Sequence, residues 1–210
     1  MNYKKRLHVD LHVIDSVGEE DFDSGKTDAA VLRKRLADTE INIVGHVAKS
    51  IKALTDVFDT IAKSKAIYEF PRKGIPYIHI GCHGEKDRLI PTNREEVPWE
   101  RLSELLLPLQ EKTDYNVPLS LSSCYGYHGA SLAYVMDSKY QKRRPYYSLV
   151  GPTKEEYPTP LCDAFARFYR HLLVEFEDTN VAVKSANAEG EVQLDFTRGS
   201  ILTENKPFTV

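Results

Sequence analysis

Long hydrophobic runs are missing from this sequence: no stretch approaches the roughly 18 apolar residues that a membrane-spanning helix needs. The amino terminus lacks a signal-peptide core, so a cytoplasmic protein without a membrane partner is expected. Cysteine is scarce. Cys82, Cys124 and Cys162 are an odd number without paired spacing, which argues against a disulfide framework and for reduced thiols. Cys82 and His83 adjoin in a strand pattern that sends their side chains to opposite faces, and no second C-x-x-C or H-x-x-x-H follows. No metal and no cofactor is expected. With a net charge of −3, neither sign is in enough excess to argue for nucleic acid or an anionic membrane as partner. Internal repeats and low-complexity tracts are absent as well.

What remains is an ordinary globular composition, 41% hydrophobic and 28% charged over 210 residues, enough for one α/β domain spanning residues 1–210. Residues 7–15 alternate partly and predict a first strand, followed by an acidic loop over 16–24. A helix follows from Thr27, its candidate N-cap, to about residue 37. Gly25-Lys26-Thr27 invites a phosphate-loop reading, but that motif's first glycine falls where Glu20 stands, and four carboxylates in the loop would repel phosphate.

Residues 40–47 predict a second strand and 50–65 an amphipathic helix. Leu102, Leu105, Leu106 and Leu109 form the stripe of a helix opened by Pro98, which Pro108 should end or kink. A helix is expected at 129–136, a basic loop at 142–145, a strand at 146–151, one long helix over 159–176, a short helix at 180–188 and a last strand at 192–197. Strands alternating with helices call for a mostly parallel sheet of about six strands, covered by helices on both faces.

Two stretches carry the chemistry. Residues 75–82 form an apolar, β-branched run closed by His83-Gly84, and residues 117–123 form another closed by Cys124. An imidazole and a thiol thus sit just past the carboxyl ends of two expected strands, where ligands bind in open parallel sheets. The spacer between them suits one right-handed crossover. A thiol attacks an amide carbonyl only as thiolate. A neighbouring imidazole supplies that state and later protonates the leaving amine. The amino end of a helix following Cys124 would favour thiolate further.

The two motifs, with the segment between them, resemble the caspase-like cysteine peptidases of clan CD, and among these the bacterial CHAT-type domains. Residues 84–102 are similar to the family's small hairpin and its helix entry, here Val97-Pro98-Trp99-Glu100. The likeness runs from about residue 77 to 188. It implies a three-layer caspase-like fold and a cysteine endopeptidase whose dyad is His83 and Cys124, with the oxyanion held by the amides of Gly84 and Cys124.

The resemblance also implies a substrate pocket near Asp15, with Ser122 where relatives that cleave after Arg or Lys often carry a second acid. Unchanged cleavage of arginyl substrates in Asp15→Ala would refute that assignment. Tyr125 and Tyr127 either flank the cleft or cap the next helix, and Tyr125 is the candidate substrate contact. A regulated bacterial effector acting on protein or peptide, including in anti-phage defence, is the implied role. Its trigger would be a partner protein, a small ligand or homo-oligomerisation.

Other readings stand beside this one. The chain could be a non-catalytic scaffold or ligand-binding module, or a hydrolase of small amides. His128, four residues past Cys124, competes with His83 as base. Trp99 reads as a packing anchor, Cys82 as sheet packing and Cys162 as inert.

Overall fold

A computed structural model describes residues 10–64, 76–113, 115–132 and 146–199. The expected three-layer α/β architecture with a mostly parallel sheet is what it shows. The main strands are β1 (Asp10–Ser16), β2 (Asn42–Val47), β3 (Tyr77–Gly84), β6 (Pro118–Ser122), β7 (Ser148–Pro152) and β8 (Leu194–Arg198). They lie in the order β2-β1-β3-β6-β7-β8, parallel except for β8, which runs antiparallel beside β7. Two short strands, β4 (Arg88–Ile90) and β5 (Val97–Pro98), form a small antiparallel extension on the end of β3.

Side-chain alternation along the strands divides the core into two layers. On one face Ile14, Ile78, Ile80, Leu119 and Leu121 pack against α3 (Ile51–Ala62) and α4 (Trp99–Lys112) through Leu54, Phe58, Leu102 and Leu106. On the other, Leu11, Val13, Val150 and Leu194 meet α2 (Asp28–Arg35), α5 (Pro158–Tyr169) and α6 (Thr179–Ala188) through Leu32, Phe165, Phe168 and Val183. Each such Leu or Phe, fully buried, contributes about 1.5–3 kcal/mol to folding.

The helix starts follow from the capping residues. Thr27 Oγ1 accepts from Ala30 N–H at 3.2 Å and Ser50 Oγ from Ala53 N–H at 3.1 Å, each worth about 1 kcal/mol.

Four expectations are revised. The acidic loop contains a short helix, α1 (Glu19–Asp23), with Glu19, Glu20 and Asp21 in its first turn, where the helix dipole favours acids. Pro108 does not end α4, which runs on to Lys112. Pro108 faces solvent, and buried Leu105, Leu106 and Leu109 hold the two halves of the helix in place. The long helix over 159–176 is α5 followed by a π turn, Arg170–Val174, which closes at Phe176 in the left-handed region with φ 58°. Directly after Cys124 comes a six-residue 3₁₀ turn, Gly126–Ser131. A short 3₁₀ turn lacks the aligned amides of a long α-helix, so the dipole argument for the thiolate is withdrawn for that segment. The second half of the helix expected at 129–136, and the basic loop at 142–145, lie outside the described residues.

Candidate active site

The site is built by one register. Ile78 lies opposite Leu119 and Gly81 opposite Ser122 in the parallel β3–β6 pair. The last pair of that ladder falls two residues before His83 on one strand and two before Cys124 on the other. The glycine after the histidine closes the gap. A Cβ on Gly84 would stand 2.7 Å from the Cys124 carbonyl oxygen and 2.9 Å from Ser123 Cβ, distances no real side chain keeps. Bare backbone at Gly84 therefore lets the His83 strand end rest directly on the Ser123–Cys124 peptide. His83 is exposed and Cys124 half-buried, so both are reachable from solvent.

Beneath them lies a buried polar chain that the sequence reading did not single out. The Ser120 hydroxyl donates to Tyr169 Oη. Tyr169 O–H meets His79 Nδ1 at 2.9 Å, and His79 Nε2–H meets Asp28 Oδ2 at 2.8 Å. His79 and Ser120 are register partners, each four residues before His83 and Cys124 on the same face. The chain therefore braces the two strands four residues before His83 and Cys124. Period-two alternation back from His83 was the sequence signal that could have found His79.

The expected pocket residues are placed differently from the dyad. Asp15 is 2% exposed and accepts from the backbone N–H groups of Asp28 at 2.8 Å and Ala29 at 3.2 Å. Its carboxylate thus serves the amino end of α2. Burial, then the neighbouring Asp28, pushes its pKa up to about 6. Ser122 is also buried, facing the α5 side with Ser120. Tyr125 adopts the left-handed conformation, φ 57°, at the turn directly after Cys124.

The Tyr125 ring receives the Lys86 ammonium at 5.6 Å from its centre and packs edge-on against His128 at 5.7 Å. Lys86 comes from the hairpin after His83, and Trp99 Nε1–H holds its carbonyl at 2.9 Å. Trp99 is the packing anchor expected, 6% exposed. Hairpin and cysteine turn are thereby joined.

The other thiols are quiet. Cys82 packs against the α3–α4 core layer, and burial pushes its pKa up to about 12. Cys162 is buried on α5 and is also pushed up by burial. Burial and then the Lys86 charge lower the pKa of His128, whose ring bonds to the Thr153 backbone. Among the described residues the Cys124 sulfur has one hydrogen-bond partner, the Glu156 carbonyl at 3.8 Å, and none joins it to His83.

No protein-family model matches the chain, and no curated protein matches it either.

Among the described residues one group has metal-ligating geometry: His171, Glu175 and Glu177, far along the chain from the crevice. No helix among the described residues is long and apolar enough to cross a membrane.

Proposed function

We propose that the protein is a cysteine endopeptidase of caspase-like type, with His83 as base and Cys124 as nucleophile. The observation that supports this reading is that the β3–β6 register ends two residues before the exposed His83 and two before the half-buried Cys124, at the carboxyl ends of adjacent parallel strands. The Cys124 proton passes to His83, and the thiolate attacks the carbonyl carbon of a peptide bond. The Gly84 and Cys124 amides hold the oxyanion. The C–N bond then breaks, the departing amine takes the proton from His83, and water hydrolyses the thioester to restore the thiol. The substrate is a protein or peptide, and the setting is the cytoplasm. Activation comes from a partner protein, a small ligand or self-association.

The test is cysteine labelling of the whole chain with a peptidyl electrophile, read by mass spectrometry, beside a peptidase assay on a mixed peptide library. Cys124 is expected to react far ahead of Cys82 and Cys162, to lose that lead in His83→Ala, and to be required for cleavage. Equal labelling of all three thiols refutes the dyad.

The rival reading, a non-catalytic binding module, is favoured by one observation: the thiol donates to the Glu156 carbonyl and not to the imidazole. Wild-type protein without cleavage of any peptide would support it.

A further inference from the structure

The connection from β7 to α5, residues 153–157, touches the nucleophile turn at four consecutive positions. The His128 ring bonds to the backbone of Thr153. Tyr125 N–H donates to the Lys154 carbonyl at 3.1 Å, and Tyr125 O–H donates to Glu155 Oε1 at 3.3 Å. The Cys124 sulfur lies 3.8 Å from the Glu156 carbonyl oxygen, close enough for the thiol to donate to it. Within the segment, Lys154 Nζ lies 3.4 Å from Glu156 Oε1, with the Glu156 side chain only 12% exposed.

A carbonyl oxygen is the negative end of a dipole. It accepts from a thiol and repels a thiolate, so this contact favours the unreactive form of sulfur.

We propose that residues 153–157 form an autoinhibitory strap, holding Cys124 as a protonated thiol until the strap lifts. The proposal rests on the dyad reading and names the regulation of that site. Its latches are weak and separable: one exposed hydroxyl–carboxylate bond and three bonds to backbone, with the Lys154–Glu156 ion pair inside the segment. A strap of this strength opens readily when a ligand or partner competes for Glu155, Lys154 or the Tyr125 ring.

The experiment is the rate of iodoacetamide alkylation at each cysteine of the full chain, at fixed neutral pH, by peptide mass spectrometry. Glu155→Gln removes the hydroxyl latch. Lys154→Ala leaves the mostly buried Glu156 carboxylate without its cation. Both altered side chains are exposed, so the fold is retained. Each variant is expected to speed alkylation of Cys124 about two- to tenfold, the range set by one hydrogen bond of about 0.5–1.5 kcal/mol, with Cys82 and Cys162 unchanged. An unchanged or slower Cys124 rate in both variants overturns the strap, and so does a parallel rise at all three thiols, which reports general loosening. Faster Cys124 labelling without any peptidase activity leaves the strap standing and removes the peptidase reading. Cleavage dependent on Cys124 with no rate change in the variants does the reverse.

Discussion

Asp15 is an acid held where water does not reach it, and its two amide partners explain why it stays. Asp15→Ala leaves those amides of α2 without acceptors, an expected loss of about 1–3 kcal/mol in urea unfolding. Its pKa is raised in the fold from 3.8 to about 6, by burial first and then by Asp28. The folded chain therefore binds this proton more tightly than the unfolded chain. The stabilisation linked to it is complete below about pH 3.8 and is lost as pH rises through about 6. Asp15→Asn is expected to flatten the stability profile over that window. Gly84→Ala forces a Cβ against the Cys124 carbonyl. At least a tenfold loss of Cys124-dependent cleavage is expected, about 1.4 kcal/mol at the transition state, and wild-type rates in that variant would sink the role given to Gly84. The strand ends that carry His83-Gly84 and Cys124 were legible because each motif is local, an apolar run closed by a turn. The use made of Asp15 was not, because its partners arrive only when α2 docks.

Among the elements, the π turn after α5 has an identifiable purpose in stability. It turns His171 toward Glu175 at 2.9 Å, Glu177 at 3.5 Å and Glu189 at 2.9 Å, tying α5 to the end of α6. Burial opposes the imidazolium, but the bonds to Glu189 and Glu175 outweigh it, and the pKa of His171 is raised. That stabilisation is complete below about pH 6.5 and fades as pH rises through the raised folded value. His171→Gln is expected to lose about 1 kcal/mol at pH ~6 and little well above that value, since the glutamates are partly exposed. Thermal unfolding midpoints across that range decide it, and an equal loss at every pH refutes the charge. Helices α3 and α4 were readable from apolar residues at threes and fours, and the Thr27 cap from its position before α2. The break in α5 was not, because Phe165, Phe168, Tyr169 and Leu173 keep helical spacing through the π turn. Only the packing of α6 against that region marks where the backbone widens.

Across the whole molecule, the buried chain Ser120–Tyr169–His79–Asp28 joins β6, α5, β3 and α2. Tyr169→Phe strands a ring nitrogen and a hydroxyl in the core, and chemical denaturation is expected to show a loss of about 1–3 kcal/mol. A smaller cost would mean that water replaces the phenol. Fold class was decided by the sequence alone, because strand and helix periodicities alternate along it and strands buried on both faces can only sit inside a layered parallel sheet. Tertiary structure alone decided that Asp15 caps a helix, that His79 and Tyr169 brace the strands, and that the Glu156 carbonyl meets the Cys124 thiol. Each of these depends on a partner distant in the chain, and side-chain hydrogen bonds across layers leave no periodic trace in sequence.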